Sequence, residues 1–449
     1  MRRGQVVRVD GNNQDVALKA MRKAATMDGL STMRFRGRYG ICLAVAAAWS
    51  NSALAQGMAI DAPTDVAGTR AQPGYDALGI RIGSFTAYPT LASTSTLNSN
   101  VFARATNRES DVSVTISPAL TLRNSDPLRP ITISADARIR RFARLTQQND
   151  DQFDIMAEGR YEIGADSMLG ARVSWSQASI SRGSFENELE TGSQLQRQQL
   201  TTDLTAQRRF NRLTARLGLS GSKFHFDDVD LGNGSKLDQS FRNGRQLGAS
   251  LGLSYQLSAR VAAQVQGRIN QYDYDDPRPE SYRDATSYNV TVGARYEVTR
   301  LLLLELGAGM RGHRFKNPLF EDISGLALNG QLRWYPSPLL SIQFDLAQTT
   351  STSSSVLVGA VNATTAKLNA DYELKRNLVV SAGVGVSQED YGQLGGNSRQ
   401  VSLNGRVRWT PNRWLRVTPS VNYETRQRGT AVASTYDAFR FALTVTLAR

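Results

Sequence analysis

The sequence predicts an all-β protein, a transmembrane antiparallel up-and-down β-barrel of about 18 strands with short periplasmic turns and long extracellular loops. Three observations carry that expectation. Apolar and polar residues alternate with period two from residue 78 to the end, connections alternate between short and long, and aromatic residues recur just before the short ones.

Alternation is clearest where Leu326, Leu328, Gly330, Leu332 and Trp334 share one parity while Ala327, Asn329, Gln331 and Arg333 share the other. Period two places successive side chains on opposite faces of a strand. The pattern recurs from Ile131 to Ile139, Phe153 to Tyr161, Leu247 to Tyr255 and Val401 to Trp409. Segments of this kind are centred near residues 83, 117, 136, 157, 174, 205, 218, 251, 266, 293, 307, 330, 344, 369, 383, 405, 419 and 442. In the last of them Phe439, Phe441, Leu443, Val445 and Leu447 alternate with Arg440, Ala442, Thr444 and Thr446. No helical period of 3.6 is sustained. The longest purely apolar run, Leu301 to Leu304, is far too short for a membrane helix, which needs about 20 residues.

Short turns fall at Ser125-Asp126-Pro127, Gly164-Ala165-Asp166, Asn211-Arg212, Ser258-Ala259-Arg260, Thr299-Arg300, Pro336-Ser337-Pro338, Lys375-Arg376-Asn377 and Pro411-Asn412-Arg413. Polar loops such as 183–197, 227–241, 273–286 and 389–399 lie between them. Before the short turns stand Tyr161, Phe210, Tyr255, Tyr296, Trp334, Tyr372 and Trp409, each on the apolar parity. Rings returning to one height are the girdle expected at a membrane interface. A soluble sandwich or propeller would not require that return.

The first 55 residues read as an address. Arg34, Arg36 and Arg38 precede the apolar stretch from Ile41 to Trp49, and Ala53-Leu54-Ala55 supplies a signal-peptidase site. The chain then divides into an upstream extension 1–32, arising from a start codon placed before Met33; a signal peptide 33–55; a short periplasmic segment 56–77; and the barrel 78–449. The net charge is +13, but basic residues before residue 56 contribute six of it. The rest is too mild and too evenly spread for a nucleic-acid binder. Export removes Cys42, the sole cysteine, so disulfides do not staple the exported chain. A segment of 56–77 is too short for the plug of an iron-complex transporter.

On the polar parity stand Arg138, Arg140, Arg160, Arg172, Arg216, Arg268, Arg295, Arg311, Arg333, Arg406, Arg408, Arg416 and Arg440. Asp136, Asp154, Glu158, Glu162, Asp203, Glu297, Glu305, Asp345, Asp371, Glu373 and Glu424 share that face. Charges there require a hydrated lumen, where guanidinium groups bind carboxylates and favour anions. The competing use is structural, since cross-strand ion pairs brace a wide barrel. Catalysis has little to work with: His225 and His313 are the only histidines, and each is expected to be a solvated residue near a loop. No nucleophile, base and carboxylate group together, and neither a metal nor another cofactor is implied. The acidic patches Asp227-Asp228-Val229-Asp230 and Asp273-Tyr274-Asp275-Asp276 read as solvated loop.

Residues 79–102, with Gly83-Ser84-Phe85, Pro89 and Asn98-Ser99-Asn100-Val101-Phe102, and hairpins such as Arg295-Tyr296-Glu297-Val298, resemble a family of outer-membrane β-barrel porins (beta-barrel porin 2 like) found beside exopolysaccharide export genes. Asn98-Ser99 replaces an acidic pair usual in that family. The resemblance implies a conduit for exopolysaccharide or capsular polysaccharide, integral to the outer membrane of a Gram-negative bacterium with both termini periplasmic. Its implied partners are outer-membrane lipid and lipopolysaccharide, a polysaccharide, periplasmic and inner-membrane export proteins and the barrel assembly machinery, with no nucleic acid. The alternative is a general or mildly anion-selective diffusion porin for small solutes.

Overall fold

The computed structural model of the chain describes residues 67–68, 70–184, 186–187, 192–231, 235–276, 278, 282–351, 358–392, 396–428 and 435–449. The expected extension 1–32, the expected signal peptide 33–55 and residues 56–66 of the expected periplasmic segment lie outside the described residues. Among the described residues, twenty-one strands run in chain order. They are β1 (Ile80–Ile82), β2 (Phe85–Asn98), β3 (Asp111–Asn124), β4 (Ile131–Phe142), β5 (Asp150–Ile163), β6 (Ser167–Ser179) and β7 (Gln196–Phe210). Next come β8 (Leu213–Phe226), β9 (Val229–Asp230), β10 (Lys236–Leu237), β11 (Gly244–Gln256), β12 (Val261–Tyr274), β13 (Ala285–Thr299) and β14 (Leu302–Phe315). The last seven are β15 (Ile323–Ser337), β16 (Leu340–Ser351), β17 (Val361–Lys375), β18 (Leu378–Asp390), β19 (Asn397–Asn412), β20 (Leu415–Arg428) and β21 (Tyr436–Ala448).

Eighteen of these form one closed antiparallel barrel, each strand paired with its neighbour in the chain and β21 returning to β2. The short β1 pairs only with β2, and β9 and β10 make a small hairpin in the loop after β8. Every barrel strand is paired on both sides over at least part of its length, as lipid requires of a spanning sheet. Both described termini lie at the short-turn end, where Phe85 faces Asn124 and Thr90 faces Ala448. Connections there span two to six residues, against six to seventeen at the other end. The tightest use special chemistry: Asn211, in the two-residue turn from β7 to β8, adopts φ 54°, a left-handed conformation that Asn tolerates well.

The faces are inverted relative to a soluble fold. Val290, Val292, Leu306, Met310 and Leu326 point outward and are exposed, while the intervening Thr291 and Glu305 are buried inside. All seven predicted girdle residues lie on the outer surface near the short turns, with exposures from 43% to 50%. Large apolar area left outside a closed barrel is stable only against another apolar phase.

The predicted first strand is displaced. Its expected centre, near residue 83, falls between β1 and β2, whereas the barrel strand runs from Phe85 to Asn98. Ser93 and Ser95 share the outward parity of Leu91 and Leu97, so the apolar alternation that marks the other strands is broken here. The contacts made at the end of β2 explain the Asn98-Ser99-Asn100 element. Asn100, buried, donates from Nδ2 to the carbonyls of Arg104 (2.7 Å) and Asp437 (2.9 Å). Ser99 Oγ accepts from the Phe439 amide at 2.8 Å. These bonds join the first barrel strand to the last and seal the closure.

Candidate functional site

The lumen gathers the charged side chains. All thirteen predicted arginines lie on strands with luminal parity, but their partners differ. On the β4–β6 wall Arg138 pairs with Asp154 and with Asp136 at 3.3 Å, Arg140 with Asp150 at 2.5 Å, Arg172 with Glu158 at 2.5 Å and Arg160 with Glu162 at 3.4 Å. Here the bracing reading holds, and carboxylates cancel the guanidinium charge. Arg333 pairs with Asp345 at 2.7 Å and Arg440 with Glu424 at 2.9 Å. Arg216 donates to Gln207 at 2.7 Å. Arg268 lies near Asp203, and Arg295 near the buried Glu305.

Arg406 and Arg408 on β19 and Arg416 on β20 cluster on adjacent strands. Arg406 reaches Ser381 Oγ at 3.4 Å and Arg408 the Gly68 carbonyl at 3.3 Å. Among the described residues none of the three forms an ion pair with a carboxylate. The β4–β6 wall is thus ion-paired, whereas on β19 and β20 Asp371 and Asp76 lie near Arg408 but outside ion-pair distance, and the clustered guanidinium groups act on anions in a confined pore.

Both ends of the lumen are narrowed. At the long-loop end the 180–195 connection leaves β6 and meets distant strands: Gly183 O accepts from Arg426 Nη1 at 2.6 Å and from the Tyr436 hydroxyl at 3.4 Å. Gly183 has φ +79°, and a Cβ there would come within 2.5 Å of the Tyr436 ring, so only glycine fits. Arg426, fully buried, also ion-pairs with Glu389 and donates to Ser398 Oγ and the Tyr391 hydroxyl, both at 3.1 Å. On the next loops Arg242 is fully buried with its guanidinium 4.0 Å from the Phe226 ring centre. Burial pushes that guanidinium down to about 9, which leaves it charged at neutral pH.

At the short-turn end residues 67–78 occupy the mouth although they are few. Ser341 Oγ donates to Ala67 O at 3.1 Å, Arg70 ion-pairs with Glu373 at 3.4 Å, and Arg413 donates to Gly74 O at 3.4 Å. Between the two ends a luminal recess is lined by Arg216, Gln266, Arg268, Asn289, Glu305 and Asp345.

His313 corrects its expectation. It is not solvated but buried, between the rings of Tyr272 (5.5 Å) and Phe315 (4.7 Å). Its parity turns it inward, and the loop region around Phe320 covers it, as Phe320 lies 5.4 Å from Phe315. His225 is exposed, 3.6 Å from Asp227. Among the described residues, no three His, Cys, Asp or Glu side chains are grouped to hold a metal ion.

Sequence reading missed Arg426 and Glu389. Both lie on the luminal parity that selects Arg416 and Glu424, so the same rule could have found them. That they bind a loop from across the barrel has no local signal.

A closed barrel with an apolar exterior and an ion-lined interior defines a channel-forming outer-membrane protein. The sequence profile of the family described as Putative beta-barrel porin 2 matches residues 72–449, and the chain belongs to that family. Similar solved structures include a mutant ferric enterobactin receptor of Pseudomonas aeruginosa, with TM-score 0.44 and 8% identity over 83% of this chain and 81% of that one. Outer membrane protein OpdK of Pseudomonas aeruginosa gives TM-score 0.42 and 12% identity over 81% and 99%. OpdL of the same organism gives 0.43 and 11% over 82% and 99%. The comparison with curated proteins gives no match.

Proposed function

We propose that this porin-like channel carries anionic cargo across the outer membrane, and that its cargo is an acidic exopolysaccharide or capsular polysaccharide moved outward by periplasmic and inner-membrane partners. The carrying observation is the wall formed by Arg406, Arg408 and Arg416, whose guanidinium groups, ion-paired to no carboxylate among the described residues, are offered to uronate or other carboxylate groups. Asn, Gln, Ser and Thr side chains elsewhere on the luminal parity suit sugar hydroxyls. A second reading, a diffusion porin for small anions, is favoured by the loop and N-terminal contacts that narrow both ends.

Deletion of the gene separates the two. The export reading expects surface polysaccharide to disappear while uptake of small anions persists; normal polysaccharide output with impaired uptake would leave the porin reading. Charge sign is tested in a planar bilayer under a salt gradient. Replacing Arg406, Arg408 and Arg416 with Gln is expected to move the reversal potential toward cation preference. The charge-neutral pair Arg138→Gln with Asp154→Asn should leave it unchanged. Equal shifts would mean that this arginine wall does not set selectivity.

A further inference from the structure

The barrel wall is not zipped along its whole circumference. Between β15 and β16 the ladder runs from Ser337 opposite Leu340 up to Gly330 opposite Leu346, and there it stops. Above that rung, β15 from Ile323 to Asn329 remains paired with β14. Residues Ala347 to Ser351 of β16 remain paired with β17. Two half-strands therefore face each other without a common ladder at the long-loop end.

Side chains bridge the split. The Leu328 amide donates to Gln348 Oε1 at 2.9 Å, where continued register would have given it a backbone carbonyl. Gln348 Nε2 donates on to Thr364 Oγ1 at 3.2 Å. The two strands are thus held apart by a glutamine side chain. Beyond it, Arg311 of β14, on the luminal parity, donates from Nη1 to Asn362 Oδ1 of β17 at 3.1 Å. Thr350 Oγ1 shares that acceptor at 2.6 Å.

Asn362 has the same parity as the outward-facing Leu368 and Tyr372, so a luminal arginine can meet it only if the tip of the β16–β17 hairpin leans into the barrel. Burial agrees: Val361, Asn362 and Ala363 are all buried, on both parities. Gly359 lies so close to Phe315 and Phe320 that a Cβ would come within 2.8 Å of the Phe315 ring.

We propose that this split is a lateral port joining the lumen to the lipid phase, and that it serves an amphiphile with an anionic head and an acyl chain. The head would meet Arg268 in the luminal recess and Arg311 in the pocket that adjoins it, and the chain would leave between Leu328 and Leu346. Three features fit this use. Unpaired backbone at membrane depth is tolerated where it borders a water-filled cavity, and the recess lies directly behind the split, lined by Leu328, Leu346 and Gln348. Arg311 Nε is buried without a partner, leaving a donor for a carboxylate or phosphate oxygen. The outer rim is apolar, with Leu326 and Met310 among the most exposed outward side chains. The proposal rests on the outer belt being the lipid face.

The test uses paired cysteines in outer-membrane vesicles, since the sole native cysteine, Cys42, falls in the predicted leader. The pair Leu332→Cys with Phe344→Cys sits on a formed rung and should cross-link fully under mild oxidation. The pair Leu326→Cys with Thr350→Cys keeps the Gln348 bridge and should stay reduced over the same time, because Cα atoms beyond about 7 Å cannot be bridged. Cross-linking at equal rates would show a closed wall and overturn the port.

The ligand is tested with doxyl-stearate as quencher and a fluorophore on single cysteines in phosphatidylcholine vesicles. Quenching at Asn289→Cys, inside the recess, should be severalfold stronger than at Ala442→Cys on a distant luminal wall, and Arg311→Gln should reduce it. Equal quenching at the two luminal positions would overturn the proposal. A fluorophore at Leu204→Cys must be quenched in every case; its protection would instead overturn the assignment of the lipid face.

Discussion

Replacing Leu204 with Arg is expected to cost about 2 to 4 kcal/mol of folding stability in a bilayer, the penalty for a charge on the lipid face near the midplane. Leu204 lies near the middle of β7, half-exposed on the outer surface between Leu219 and Ala171. Its luminal neighbour Asp203 already carries charge among Arg172 and Arg268, so Asp203→Asn should cost far less. Denaturant titrations of the folded band on unheated gels measure both. Equal costs would mean that the two parities see the same solvent.

Removing Arg426 should be as damaging for the opposite reason. Arg426→Met leaves Glu389 buried without its cation, a change that costs about 3 to 5 kcal/mol when one partner of a buried ion pair is lost. It also releases Gly183, Ser398 and Tyr391 from their hydrogen bonds. The double replacement Arg426→Met with Glu389→Met should recover most of the stability but not the hold on the 180–195 loop. Larger or noisier single-channel currents from the double variant, at near-normal stability, would separate anchoring from bracing. Wild-type stability in the single Met variant would show that the ion pair is absent in the membrane.

The barrel was legible because lipid imposes a rule on every second residue. Leu251, Val292 and Leu443 announce their strands locally, and a strand needs only its own parity to be placed. β2 escaped because its outward serines carry no apolar signal. The lumen was legible as a set of residues but not as a site. Parity places Arg138 and Arg408 on the same face, but whether an ion pair forms depends on cross-strand register, which brings Asp154 into contact with Arg138 while Arg408 bonds to the Gly68 carbonyl. Loop contacts were the least legible. Gly183 meets Tyr436, 253 residues away, and no spacing rule links them. His313 was misjudged because its position at a strand end suggested water, while the rings of Tyr272 and Phe315 and the loop that follows its own strand cover it.

The central claim is that one face of every strand meets lipid and the other a hydrated lumen. Single cysteines along β7 test it most directly, at Leu200, Thr201, Thr202, Asp203, Leu204 and Thr205, labelled in intact vesicles with a water-soluble maleimide. The structure predicts labelling at 201, 203 and 205 and protection at 200, 202 and 204, with all six reactive once the barrel is unfolded. Uniform labelling, or the reverse alternation, would contradict the barrel as a membrane channel.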